Sequence, residues 1–220
     1  MDVVIVGGGG HGKVVLDILR SSGRSRPVGF LDADPFLAGS TIHGLPVLGQ
    51  INLIPKLKSQ RISGAIVAIG DNLARLRYAN TLQEQGLELV NAIHPSATVS
   101  PSATIGKNVV IAAGSVVGPD AVISDSVIVN TGALVDHECR IDRGVHICPG
   151  VALAGRVQVG EMAFLGLGCR IIQCLIVGRQ ATVGAGAVVI EDVPELATVV
   201  GVPARVIKTA QPYLPEPCPA

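Results

Sequence analysis

Stepping by six from Ile93 lands on Val99, Ile105, Ile111, Val117, Ile123, Val129, Val135, Ile141, Ile147, Leu153, Val159, Leu165, Ile171, Val177, Val183 and Val189 without interruption. Val, Ile and Leu form roughly a third of the chain, so chance would give such a register with a probability on the order of 10^-8. Two residues before each step stands a second small or apolar residue, from Ala97 through Ala133, Cys139 and Val157 to Ala187. Side chains two apart share one face of a strand, so each hexad reads as a short strand and a turn. Gly, Asp or Asn often follows the aliphatic (Gly106, Gly118, Asn130, Asp136, Gly160, Gly178), which reads as turn chemistry. The architecture that absorbs such hexads is a parallel β-helix. Three hexads per coil bring like residues 18 apart, and the repeats fill between five and six coils, a prism about 25 Å tall at the spacing of stacked strands. A narrow coil admits only small and aliphatic side chains. That explains a chain 48% hydrophobic yet 2% aromatic, with no Trp.

The first ninety residues have a different pattern. DVVIV (2–6) reads as a buried strand, GGGGHG (7–12) as a glycine turn, and KVVLDILRSSG as an amphipathic helix ending at Gly23. PVGFLD gives a second strand ending at Asp32 and GAIVAIG a third ending at Gly70. A helix over about 72–86 and a short strand, LELVNAI, then lead into the hexads. Alternating strands and helices predict a small parallel α/β sheet. Gly7, Gly9, Gly12 and Asp32 match the dinucleotide fingerprint in spacing. The chain has room for only about one mononucleotide half, which disfavours NAD and favours a nucleotide or nucleotide sugar. His11 at the loop, with Asp32 and Gly70 at strand ends, could line one crevice.

The charge balance of 17 basic and 17 acidic residues carries no nucleic-acid footprint. No apolar run approaches the roughly 20 residues of a membrane span, and the expectation is a soluble cytoplasmic protein. Five cysteines without a C-x-x-C pair read as small core or turn residues.

Within the hexads the polar interruption that stands out is Asp136-His137-Glu138. A histidine flanked by carboxylates can have its tautomer fixed and its basicity raised, although a lone histidine on a turn is usually plain surface. His146 lies half a coil further on, so the two histidines belong on different parts of the prism. If they serve one site, a neighbouring subunit must bring them together, which predicts a trimer. His94, His137 and His146 make an improbable zinc triad, and no Ser-His-Asp or Cys-His pairing is specified by spacing.

The GGGGHGK loop, LDADP, VAIGDN, NAIHPSA, the hexads, NTGALVDHEC and GVPARVIK together resemble the bacterial sugar O-acyltransferases and nucleotide-sugar N-acetyltransferases over nearly the whole chain up to Lys208. This family includes sialic acid O-acetyltransferases of the NeuD type and enzymes that acetylate UDP-, dTDP- or GDP-linked 4-amino-4,6-dideoxy sugars. The GDP-perosamine N-acetyltransferase group is the nearest in motif. The resemblance implies an α/β half-Rossmann-like domain over 1–91 and a left-handed parallel β-helix over 92–208, and a Pro-rich tail over 209–220 lies beyond it. The resemblance also implies a homotrimer and acetyl-CoA as the donor, its pantetheine arm lying between two prisms, with no metal required. His137 corresponds to the family's general base, and Glu138 to the acid that raises its basicity. Gly9, Gly10, His11, Asp32, Ala33 and Gly70 correspond to nucleotide-sugar contacts, and His146, Leu167 and Ala185 to acetyl-CoA contacts. Some relatives carry Gly in place of Ala185 or a second acid in place of Ala33, where this chain has its acid at Asp34. The expected activity is N-acetylation of a nucleotide-linked amino sugar for surface polysaccharide or glycan synthesis. O-acetylation of a sialic-acid-like sugar is the nearest alternative, and a nucleotide-binding scaffold without catalysis is the reading from a different class.

Overall fold

The computed structural model describes residues 1–209, so Cys218 and most of the Pro-rich tail lie outside the described residues. The chain opens with β1 (Asp2–Val6), α1 (Gly10–Ser22) and β2 (Arg26–Leu31). There follow β3 (Thr41–Ile42), β4 (Leu45–Gly49), α2 (Ile54–Ser59), β5 (Gly64–Val67), α3 (Asn72–Glu84) and β6 (Glu88–Leu89). The sheet order is β3-β4-β2-β1-β5-β6, with β1 parallel to both β2 and β5. Gly23 caps α1 in the left-handed conformation (φ 63°), as the sequence pattern predicts.

Sequence reasoning misses β3, β4 and α2. The hairpin β3–β4 lies at the sheet edge, where Pro46 interrupts the apolar pattern that marks the other strands and β4 adds in parallel to β2. The segment LELVNAI also splits, its first part pairing with β5 and its second (Ala92–Ile93) entering the repeat.

Seventeen two-residue strands, β7 (Ala92–Ile93) to β23 (Val188–Val189), follow at six-residue intervals, each ending on the aliphatic position read from the sequence. Their partners are 18 residues away in parallel, and they form three sheets that are the faces of the left-handed prism. The first face carries β7, β10, β13, β16, β19 and β22, and is extended by β24 (Ala197–Val200) and β25 (Arg205–Thr209). The second face begins with β8 and the third with β9. Aliphatic, Ala and Cys side chains fill the interior, Cys139 and Cys169 among them.

From Ile105 to Val183 the left-handed corner falls three residues after the aliphatic, at Asn108, Gly114, Asp120, Ser126, Gly132, Glu138 and onward to Gly186, not at the glycine directly after it. Those adjacent glycines have another cause. At Gly160 a Cβ would stand 2.7 Å from the Arg179 nitrogen, and at Gly118 it would stand 2.8 Å from the His137 nitrogen. Stacked coils leave no room there for a side chain.

The outward row of the first face explains where the amino-terminal domain sits. Ala92, Val110 and Ile128 stack in register on this row, and all three are buried with Val15, Leu16, Ile18 and Leu19 of α1 in one core. The next members of the row are His146, Phe164 and Thr182, where the apolar stripe gives way to polar and half-open positions. A buried Asn108 joins the two domains, accepting from the Val67 nitrogen at 2.8 Å and donating to Ser126 Oγ at 2.9 Å. Gly160→Ala is expected to cost about 2–3 kcal/mol through overpacking, read as a lowered urea midpoint. An unchanged midpoint would show that the coils can spread at no cost.

Candidate functional site

The junction where the outward row turns polar is a crevice. The turn after β1 brings Gly7 to φ 108°, and Gly12 packs so closely that a Cβ there would overlap the Gly7 carbonyl. The helix thus starts hard against the strand end. A Cβ at Gly9 or Gly10 would meet nothing within 4 Å, and no acidic side chain occupies the first turn of α1. The free N–H groups of that turn face open space, the arrangement that receives an anion such as a phosphate. Asp32 braces the loop through Oδ2, which accepts from the Gly8 nitrogen at 2.6 Å, and through Oδ1, which accepts from the Asp34 nitrogen at 2.9 Å.

Gly9, Gly10, His11, Asp32, Ala33 and Gly70 all line one cavity of about 330 Å³, so the sequence-predicted sugar-nucleotide set converges. Two further compartments share its walls. One of about 260 Å³ continues past Asp32, Ala33 and Tyr78 to Gln50 and Asn52. The other, about 520 Å³, opens beyond Gly70 between Asn72 on α3 and Met162, Phe164 and Gln180 of the β-helix.

His146 is packed behind the Gly70 loop, between His11 and Phe164. It is 9% exposed, its ring centroid is 6.4 Å from that of His11, and Phe164 packs edge-on against it at 5.3 Å. Its Nδ1 donates to the Gly70 carbonyl at 3.2 Å, which leaves Nε2 to accept from Asn130 at 3.3 Å. Leu167 and Ala185 lie one coil apart at the corner between the first and second faces, next to the left-handed glycines Gly150, Gly168 and Gly186. Leu167 is exposed there.

His137 occupies a different corner, between β14 (Leu134–Val135) on the second face and β15 (Arg140–Ile141) on the third. Its Nδ1 is 2.9 Å from Glu138 Oε2. An ionised carboxylate can only accept, so Nδ1 carries the proton and Nε2 presents its lone pair. Asp136 Oδ1 accepts from the His137 backbone nitrogen at 2.7 Å, which fixes the turn rather than the ring. Glu138 is held below the usual carboxylate range by its hydrogen bonds to His137 first and Arg156 second.

Arg75 is the residue that sequence reasoning missed. On a helix of mixed polarity it reads as surface, yet it is fully buried. Its guanidinium donates to the carbonyls of Ser126 and Gly144 on successive coils, to those of Ile69 and Gly70, and to Asn72 Oδ1. Burial pushes it down to about 10. Its only sequence signal is the Asp71-Asn72 start of α3, which sets the first turn against the Gly70 loop.

Burial, followed by the nearby His146 and Arg75 charges, lowers His11 to about 4; burial and then Arg75 lower His146 to about 4. Both imidazoles are neutral in the folded chain near neutral pH, whereas in the unfolded chain they gain protons below about 6.5. Their contribution to stability is therefore complete above pH 6.5 and lost as the pH falls from there through about 4. A His11→Asn/His146→Asn double variant is expected to flatten the fall of the urea midpoint across that window. An unaltered slope would show that other groups govern it.

Known proteins resemble this chain in both sequence and fold. Residues 2–82 match the family model described as the PglD N-terminal domain. The solved structure of a single-residue mutant of GDP-perosamine N-acetyltransferase from Caulobacter crescentus, in complex with CoA and GDP-perosamine, is 45% identical. The match covers 94% of this chain and 97% of that one, with a TM-score of 0.91. The acetyltransferase domain of PglB from Neisseria gonorrhoeae, in complex with acetyl coenzyme A, is 39% identical over 94% of this chain and 98% of that one, with a TM-score of 0.87. Among curated sequences, the serine acetyltransferase of Bacillus licheniformis is 45% identical over 49 residues, and the match spans 23% of its length. A match at 45% identity over 94% of the chain, which takes in both the amino-terminal domain and the coils, places the chain in the family of nucleotide-sugar N-acetyltransferases.

Proposed function

We propose that this protein transfers the acetyl group of acetyl-CoA to the 4-amino group of a nucleotide-linked amino-dideoxy sugar, with a GDP-linked sugar as the first candidate. The observation that carries this reading is the 45% identity over nearly the full chain to an enzyme solved with CoA and GDP-perosamine. The crevice supports it. The open glycine turn and the α1 amino terminus suit a diphosphate, the compartment by Gln50 and Asn52 suits a base, and the space beyond Gly70 suits the sugar. His146 ties the Gly70 loop to the β-helix through its hydrogen bonds to Gly70 and Asn130.

In the reaction the neutral sugar amine attacks the thioester carbonyl carbon. The N–C bond forms, His137 Nε2 takes the amine proton, and the C–S bond breaks as the proton passes on to the departing thiolate. Main-chain N–H groups of the coil stabilise the oxyanion. The pantetheine arm lies along the glycine edge beside Leu167 and Ala185, where side chains would obstruct it.

Within one chain His137 and the crevice occupy different parts of the prism, so a homotrimer with sites between subunits completes the arrangement. The cytoplasm, where acetyl-CoA and nucleotide sugars are available, is the proposed compartment, and surface polysaccharide or glycan synthesis the proposed use.

A free-thiol assay across GDP-, UDP- and dTDP-linked 4-amino sugars and free sialic acid is expected to report CoA release with a nucleotide-linked amine. Release with sialic acid alone would replace this reading by O-acetylation. His137→Ala is expected to lower kcat by about 10²–10⁴ with the oligomer intact. Light scattering is expected to give a trimer, and mixing His137→Ala subunits with Asp32→Ala subunits, followed by refolding together, is expected to restore activity. A monomer with full activity would exclude the shared site.

A further inference from the structure

The dipeptide Gly155-Arg156 stands one coil after His137-Glu138, and each of its residues meets one of them. The Arg156 Nε lies 3.0 Å from Glu138 Oε2, the same oxygen that accepts from His137 Nδ1. A Cβ on Gly155 would overlap the Cε1 and Nε2 atoms of the His137 ring. Gly155 is not at a left-handed position, so its backbone would accept any side chain. The imidazole is what excludes one. The Arg156 backbone nitrogen also donates to the His137 carbonyl at 2.9 Å, which holds the two turns in register.

We propose that Gly155 and Arg156 are positioning residues for the acetyl transfer: Gly155 provides the floor on which the His137 imidazole rests, and Arg156 holds the Glu138 carboxylate on Nδ1 so that Nε2 faces the amine. This rests on the assignment of His137 as the base.

Two features separate this role from a structural one. The Arg156–Glu138 pair is largely exposed, 62% and 45% at its side chains, and exposed pairs contribute little to stability. A single carboxylate oxygen shared by two donors also divides its charge between them. The charged groups around His137 are Asp136 and Glu138 on its own turn, Asp120 at the same corner one coil before, and Arg156 one coil after. Arg156 in turn reaches Cys174 on the following coil. With Arg156 removed, the carboxylate loses the partner that holds it on Nδ1, and the imidazole loses a neighbouring positive charge.

The test compares Arg156→Gln, Arg156→Lys, Gly155→Ala and His137→Asn in full-length protein, using the thiol assay over a pH series. Arg156→Gln is expected to lower kcat about tenfold, leave the KM for acetyl-CoA near its original value, and move the acid limb of kcat/KM up by about 0.5 pH unit or more. Arg156→Lys keeps the charge and is expected to restore both. Gly155→Ala is expected to lower kcat at least about tenfold while the Tm moves by less than about 2 °C, because the ring swings aside more easily than the coil. An unchanged kcat and acid limb in Arg156→Gln, or a loss that Lys does not rescue, overturns the role of Arg156. Full activity in Gly155→Ala overturns that of Gly155. Loss of turnover in His137→Asn keeps these outcomes separate from the assignment of the base, and full turnover there overturns both.

Discussion

The structure depends on the stacking of parallel coils at an 18-residue period. Each coil hydrogen-bonds to the next through two-residue strands, so every residue stands over the one 18 positions later. The consequences are local and chemical. Glycines such as Gly118 and Gly160 are imposed by the backbone of the adjoining coil, and the row Ala92, Val110, Ile128, His146, Phe164, Thr182 is a straight line on one face. Where that line is apolar a domain docks, and where it becomes polar a crevice opens.

The repeat was legible because its signal is redundant. Seventeen aliphatics in one register leave no competing fold, and the strands end on those residues. The glycine loop was legible too, since Gly7, Gly9 and Gly10 act through backbone geometry and Asp32 through the carboxylate that braces it, both of which the residue types themselves disclose. Less was visible where an interaction crosses between domains. Arg75 and Asn108 look like solvated residues in a one-dimensional reading, and only the docking of α3 and β5 on the coils buries them. Strands β3 and β4 were missed because an edge hairpin carries a weak apolar pattern. His146 illustrates the limit differently. Family correspondence assigns it to acetyl-CoA, and a single chain displays only the hydrogen bonds to Gly70 and Asn130 that hold its ring.

The electrostatics of the two histidine sites are opposed. His11 and His146 are enclosed with a buried arginine, and burial keeps them neutral. His137 is half-exposed and paired with a carboxylate on its own turn. One environment suits uncharged polar contacts with a ligand, and the other suits a group that must gain and lose a proton. The same residue type thus serves two purposes on one scaffold, with the surroundings deciding which.

Arg75 has a consequence for the order in which the chain can assemble. Its guanidinium takes carbonyls from Ser126 and Gly144, corner residues of consecutive coils. The amino-terminal domain emerges first during synthesis, yet its buried cation has no complete set of acceptors until the chain has been made past residue 144. Before that, Arg75 has only its acceptors at Ile69, Gly70 and Asn72, and its full set requires nearly three coils beneath the domain. Its final docking reports that those coils have closed at the correct pitch.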